Sequence, residues 1–125
     1  MKPNDLRVGN WIFDVEGYVY QIQGYEIYVN LVEDYTPIPL TNEWLEMLGF
    51  EYNKSYQNFR IKAGDYFNSV KYFEGEWCYN NCESDAGCYF VTTVQYVHEL
   101  QNLYHAINKE ELKDESTGSD SDKQN

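Results

Sequence analysis

The chain has 125 residues, enough for one hydrophobic core and too few for two large ones. Hydrophobic residues make up 42%, as in a folded domain, and 13 Tyr, 6 Phe and 3 Trp tilt the reading towards β structure. The net charge is −12, of which the run from Lys109 onward carries only −3; the rest sits on the folded part, so nucleic acid and anionic membrane surfaces are disfavoured as partners and a basic protein surface is favoured.

In chain order, Arg7–Phe13 is rich in strand formers, Glu16-Gly17 marks a turn, and Tyr18–Gln23 sets Tyr18, Tyr20 and Ile22 on one face. After Gly24 the run Tyr25–Leu31 alternates, with Tyr25, Ile27, Val29 and Leu31 opposite Glu26, Tyr28 and Asn30, which predicts a third strand and so an antiparallel meander. Pro37 and Pro39 hold the next stretch extended. Thr41 is the expected N-cap of a short helix over Asn42–Leu48, ended by Gly49, with Trp44, Leu45 and Leu48 as its buried stripe.

A second meander is expected from Gln57–Lys62, Tyr66–Phe73, Trp77–Tyr79 and Cys88–Val94, with Asn80–Gly87 read as a loop by composition. Val97, Leu100, Leu103, Tyr104 and Ile107 then follow helical spacing, with His98, Glu99, Gln101, Asn102 and His105 assigned to the wet side. Asn108 with Glu111 is a candidate cap for a further turn. The reading is therefore one α+β domain over residues 1–112, built from two antiparallel meanders, a short central helix and an amphipathic C-terminal helix, with residues 113–125 as a disordered acidic tail.

The opening residues lack the apolar segment of a secretory signal, and three cysteines are an odd number for a disulfide framework, so the cytoplasm is the expected compartment. Cys78, Cys82 and Cys88 are read as buried or incidental thiols rather than zinc ligands, because their spacing lacks the usual close pairs and a fourth ligand would have to come from His98 or His105 on a helix, or from a carboxylate such as Glu83 or Asp85. His98 and His105 lie seven residues apart on one helix, about 10 Å, which is too far for one metal ion. No metal or cofactor is expected. Carboxylate pairs such as Glu33-Asp34, Glu74 with Glu76, Glu83 with Asp85, and Glu110-Glu111 recur without one being singled out, so no catalytic residue is assigned. Tyr25, Tyr28, Trp77 and Tyr79, beside Glu74, Glu76, Glu83 and Asp85, form the candidate partner surface, since exposed Tyr and Trp anchor protein interfaces.

Leu6-Arg7-Val8-Gly9-Asn10-Trp11, the stretch Thr36–Leu45 with Leu48-Gly49-Phe50, and Val94–Tyr104 with Glu110-Glu111-Leu112 resemble, in order, segments of a family of small proteins from phages, prophages and conjugative elements of Bacteroidota. The resemblance implies no activity or catalytic residue. The leading expectation is a non-enzymatic accessory protein that binds a host or phage protein, with imitation of a nucleic-acid backbone as a special case. One alternative is a binder of a small molecule or nucleotide signal with an aromatic pocket, for which Arg7, Arg60, Lys62 and Lys71 would have to converge. The other is a carboxylate-dependent hydrolase.

Overall fold

Asp14 closes the first hairpin: its Oδ1 accepts the amide N–H groups of Glu16 and Tyr18 at 2.9 and 3.0 Å. On either side run β1 (Trp11–Phe13) and β2 (Val19–Gln21), antiparallel, with Ile12 opposite Tyr20. The computed structural model describes residues 1, 5–28, 32–83 and 87–112, and they fall into two compact units. Met1–Pro39 and Tyr96–Glu110 form the first, and Leu40–Gln95 with the chain from Glu111 forms the second. The fold class is α+β, with antiparallel sheets of two and five strands. Among the described residues no helix is long and apolar enough to cross a membrane.

In the first unit the expected third strand is replaced at its start by a helical turn, α1 (Tyr25–Tyr28). The alternation of Tyr25 and Ile27 with Glu26 implied a dry and a wet face, but Glu26 is itself buried. Its Oε2 accepts the Tyr20 hydroxyl at 2.6 Å and the Gln23 amide at 3.0 Å, and reaching back over Gly24 to Gln23 requires a turn rather than an extended chain. Residues 29–31 lie outside the described residues. Leu6, Ile12, Ile22 and Val32 make the core of this unit, with Tyr20, Ile27 and Tyr35 against it.

α3 (Val97–Asn108) completes the unit, burying Val97, Leu100 and Tyr104 as its spacing implies. Two residues assigned to its wet side are buried as well: His98 at 6% and Gln101 at 2% exposure. Gln101 is buried because it substitutes for missing backbone pairing. It accepts the Trp11 amide at 2.9 Å and donates to the Gly9 carbonyl at 3.0 Å. Beside it, Asn102 Oδ1 accepts from Arg7 Nε at 2.9 Å and from Asn10 Nδ2 at 2.8 Å. Polar side chains such as these can be buried when they are answered in this way. The helix ends at Lys109, whose φ of +61° turns the chain out of the helix, so the further turn from Asn108 does not form.

The second unit opens as expected. Thr41 caps α2 (Asn42–Met47), its Oγ1 accepting the Trp44 amide at 3.2 Å, with Leu48 as C-cap and Gly49 at φ +97° leading the chain away. Then follow β3 (Glu51–Asn53), β4 (Asn58–Ala63), β5 (Tyr66–Phe73), β6 (Glu76–Glu83) and β7 (Gly87–Val94), paired antiparallel in that order. Side chains alternate across a strand, so one face carries the register row Phe59, Val70 and Tyr79, buried with Leu45 and Leu48 of the helical segment. The other carries Arg60, Ser69, Asn80 and Phe90.

The stretch read as a loop, Asn80–Gly87, is strand at both ends. Asn, Glu and Ser suggested a loop by composition, but Asn81 Oδ1 accepts from the buried Asn68 at 3.0 Å, which gives a polar strand residue a partner. Cys82 and Cys88 are register partners and are joined by a disulfide, so they are not the free thiols expected; Cys78 is free. The odd count concealed one local bridge and one spare. Residues 113–125, read as a tail, lie outside the described residues.

Candidate functional site

β7 is the sheet's outer strand beyond β6, so one row of its backbone N–H and C=O groups has no strand beside it among the described residues. Seven consecutive residues, from Gly87 to Thr93, are exposed. Tyr89 is 60% exposed, Phe90 63% and Val91 40%. The register shifts opposite Tyr79/Asn80, so Val91 is the extra residue of a bulge, and Tyr89 and Phe90 stand on opposite faces. Sheet edges are usually blunted by lysine, proline or short length. This one is eight residues of Gly, Cys, Tyr, Phe, Val and Thr, without charge.

Acidic residues bracket that edge. Phe73 pairs with Glu76 around a tight turn at Glu74 and Gly75, whose φ values of +51° and +84° suit the right-handed twist of the hairpin. Both glutamates are exposed at the end of the sheet where β7 finishes, since Trp77 is the partner of Val94. Glu83 is the partner of Gly87 at the other end; its side chain and the whole of Asp85 lie outside the described residues.

The other candidate surface residues separate. Trp77 is half-buried, donates its indole N–H to the Leu40 carbonyl at 3.1 Å and meets Tyr72 edge-on at 4.9 Å. Tyr79 is fully buried, with its hydroxyl donating to Asn68, so it belongs to the packed face and not to a docking surface. Its parity on β6 sets it beside Val70, where the core needs a large ring. Tyr25 is exposed in the first unit, and the side chain of Tyr28 lies outside the described residues. Tyr89, Phe90 and Val91 were missed by sequence reasoning. Their signal was a run from Cys88 to Val94 with neither charge nor alternation, which marks a strand whose two faces have the same surroundings.

A second feature lies on the opposite side of the same sheet. A half-open cavity of about 300 Å³ is lined by Glu51, Tyr52, Asn53, Arg60, Lys62 and Phe67. Of the four bases expected to converge, Arg60 and Lys62 meet here. Lys71 lines another cavity of about 250 Å³ with Tyr72 and Trp77, and Arg7 is engaged with Asn102 in the first unit. Among the described residues Glu51 is the lone carboxylate lining the first cavity, and none lines the second.

The titratable groups that are perturbed serve the first unit's core. Burial pushes the Glu26 carboxyl up, but the Gln23 amide and the Tyr20 hydroxyl outweigh it and leave the group below its ordinary range. The same hydrogen bond, with burial, raises Tyr20. Burial lowers His98, partly offset by Glu99 and Asp5, and its Nδ1 has no partner among the described residues. Among those residues no group of His, Cys, Asp and Glu is placed to hold a metal ion. Compared with protein-family models, with curated proteins and with solved structures, the chain matches none of them.

Proposed function

We propose that the chain is a non-enzymatic accessory protein of a phage or mobile element that works by binding another protein. The mode is addition of an extended partner segment to the free edge of β7. The observation that carries this reading is the eight-residue uncharged edge strand with seven exposed residues. Strand addition takes its affinity from main-chain hydrogen bonds and its selectivity from alternate side chains. Here those side chains would meet Tyr89 on one face and Phe90 on the other.

Charge defines the partner further. Glu74 and Glu76 stand at one end of the edge and Glu83 at the other, on a chain of net charge −12. A segment with apolar and threonine-like residues in the middle and lysine or arginine at both ends fits this pattern, and the acidic field speeds its arrival. The mobile-element setting is supported by the resemblance of Thr36–Leu45 and Val94–Tyr104 to that family's segments.

The test is a titration of the full chain with a synthetic peptide of alternating valine and threonine flanked by lysines, against a variant carrying Tyr89→Lys and Val91→Lys. The wild type binds and the variant loses about tenfold or more, because lysines in the middle of the edge remove the ring and aliphatic contacts to the peptide's valines and repel its cationic ends. Binding also weakens as salt is raised. If both proteins bind the peptide equally, strand addition at β7 is wrong.

A further inference from the structure

We infer that the cavity bordered by Tyr52, Phe59, Tyr72 and Trp77 is a binding site for a methylated ammonium group, as carried by choline or by trimethyllysine. The four rings stand on one face of the five-stranded sheet. Tyr52 is the register partner of Phe59, which pairs with Val70; two residues along β5, Tyr72 is the partner of Trp77. Cross-strand partners share a face, so the parity that sets Phe59, Val70 and Tyr79 into the core brings both aromatic pairs to the same side. Each pair meets edge-on, Tyr52 with Phe59 at 5.1 Å and Tyr72 with Trp77 at 4.9 Å, with ring planes at 63° in both. An edge-on pair makes a corner of two ring faces, and a ring face carries the negative part of the aromatic quadrupole. Two such corners border one half-open space of about 250 Å³, with Val70 between them. Tyr52 and Tyr72 keep more than half of their surface exposed, so both rings can be reached from solvent.

Charge selects the class of ligand. Lys71 borders the cavity, but it lies between Val70 and Tyr72 and pairs with Cys78, so its ammonium is directed to the opposite face. The other side chains there are the rings, Val70 and the neutral amides of Asn42 and Gln57, and among the described residues no carboxylate lines the space. An ordinary ammonium or guanidinium would lose its hydration here without a carboxylate to answer its N–H groups. An anion would meet ring faces of the wrong sign, on a chain of net charge −12. A quaternary or methylated ammonium is a cation with few N–H groups or none, so ring faces suffice to hold it. Trp77 is already fixed for that task, because its indole N–H donates to the Leu40 carbonyl at 3.1 Å and so sets the plane of the ring. The volume lies below the ~300–1,000 Å³ of drug-sized sites, which suits a head group rather than a large molecule.

The test is calorimetric titration of the full chain with choline, phosphocholine and trimethyllysine, up to about 10 mM ligand. Each is run beside a control that lacks the methylated cation: the neutral tert-butyl analogue of choline, phosphoethanolamine and lysine. Methyl glucoside serves as a neutral ligand that also stacks on rings. At least one of the three binds, about tenfold or more tighter than its control, and their order identifies the carrier of the group. Tyr72→Leu keeps an apolar side chain but removes a ring face, and weakens binding about fivefold or more, whereas Tyr72→Phe retains it. Tyr18→Leu, at another exposed tyrosine, leaves binding unchanged. Rescue by phenylalanine distinguishes a site built of ring faces from damage to the fold. No binding by any of the three, equal binding of the tert-butyl analogue, tighter binding of methyl glucoside, or indifference to Tyr72→Leu overturns the assignment. The strand-addition reading is untouched by any of these results, since among the described residues none of β7 lines this cavity.

Discussion

Removing the Cys82–Cys88 bridge by Cys88→Ser probes how β7 is held. The bridge spans a sequence separation of 6. A loop that short removes about 2 kcal/mol of chain entropy from the unfolded ensemble. Other losses are small. Cys88 is exposed, so a serine there strands no buried hydroxyl, and the released Cys82 thiol stays buried 3.7 Å from the Ser69 hydroxyl. The pairs Asn81 with Tyr89 and Asn80 with Phe90 keep β7 in register without the sulfur atoms. The variant therefore folds, with its urea midpoint lowered by about 1 M. Reductant moves the wild type to the same midpoint and leaves the variant where it was. Alkylation followed by mass measurement shows one reactive thiol in the oxidised wild type, Cys78, and three after reduction and unfolding. If the variant and the reduced wild type melt with the oxidised protein, the bridge constrains nothing and the entropic argument fails.

Gln101→Leu keeps the bulk of a buried side chain but leaves the Trp11 amide unanswered; Gly9 retains a donor in Gln21 Nε2 at 3.1 Å. One orphaned amide and two lost hydrogen bonds cost about 2–4 kcal/mol, read by chemical denaturation, and a cost within error of zero would mean that water replaces the glutamine. His98 gives a pH signature. Its folded-state pKa is below the ordinary 6.5, so the unfolded chain takes up the proton first and stability falls as pH drops through that range. His98→Gln flattens the stability profile between neutral and mildly acidic pH, and an unchanged slope in the variant would assign the effect to another group.

The sequence was most legible where local chemistry decides. Thr41 capped its helix and Gly49 left it because a hydroxyl at an N-terminus and a left-handed residue at a C-terminus need no distant partner. β5 runs over Tyr66–Phe73 as its turn residues imply. The misreadings share a cause, which is polar residues taken as wet when the tertiary structure supplied partners. Glu26 found Tyr20 and Gln23, Gln101 found Trp11 and Gly9, and Asn81 found Asn68, and each changed either an element or a face. His98 was buried without such a partner for its Nδ1 among the described residues. Composition alone also made Asn80–Gly87 a loop, because a disulfide pairing of Cys82 with Cys88 is not visible until the strands are in register.

The candidate surface was half legible for a related reason. Glu74 and Glu76 were identified by charge, and both are exposed at the end of the sheet where β7 finishes. Which aromatics stand beside them depends on strand parity and on which strand is outermost. Tyr79 went to the core and Tyr89 and Phe90 to the edge on that account, and no local pattern orders five strands.

Amide hydrogen exchange across β7, with and without the lysine-flanked valine–threonine peptide, puts the docking claim to its sharpest test. Bound peptide should slow exchange at those amides of Gly87–Val94 that have no partner in β6, while the amides already bonded to β6 change little. Slowing spread evenly over the chain, or confined to the first unit while β7 exchanges as before, would contradict it.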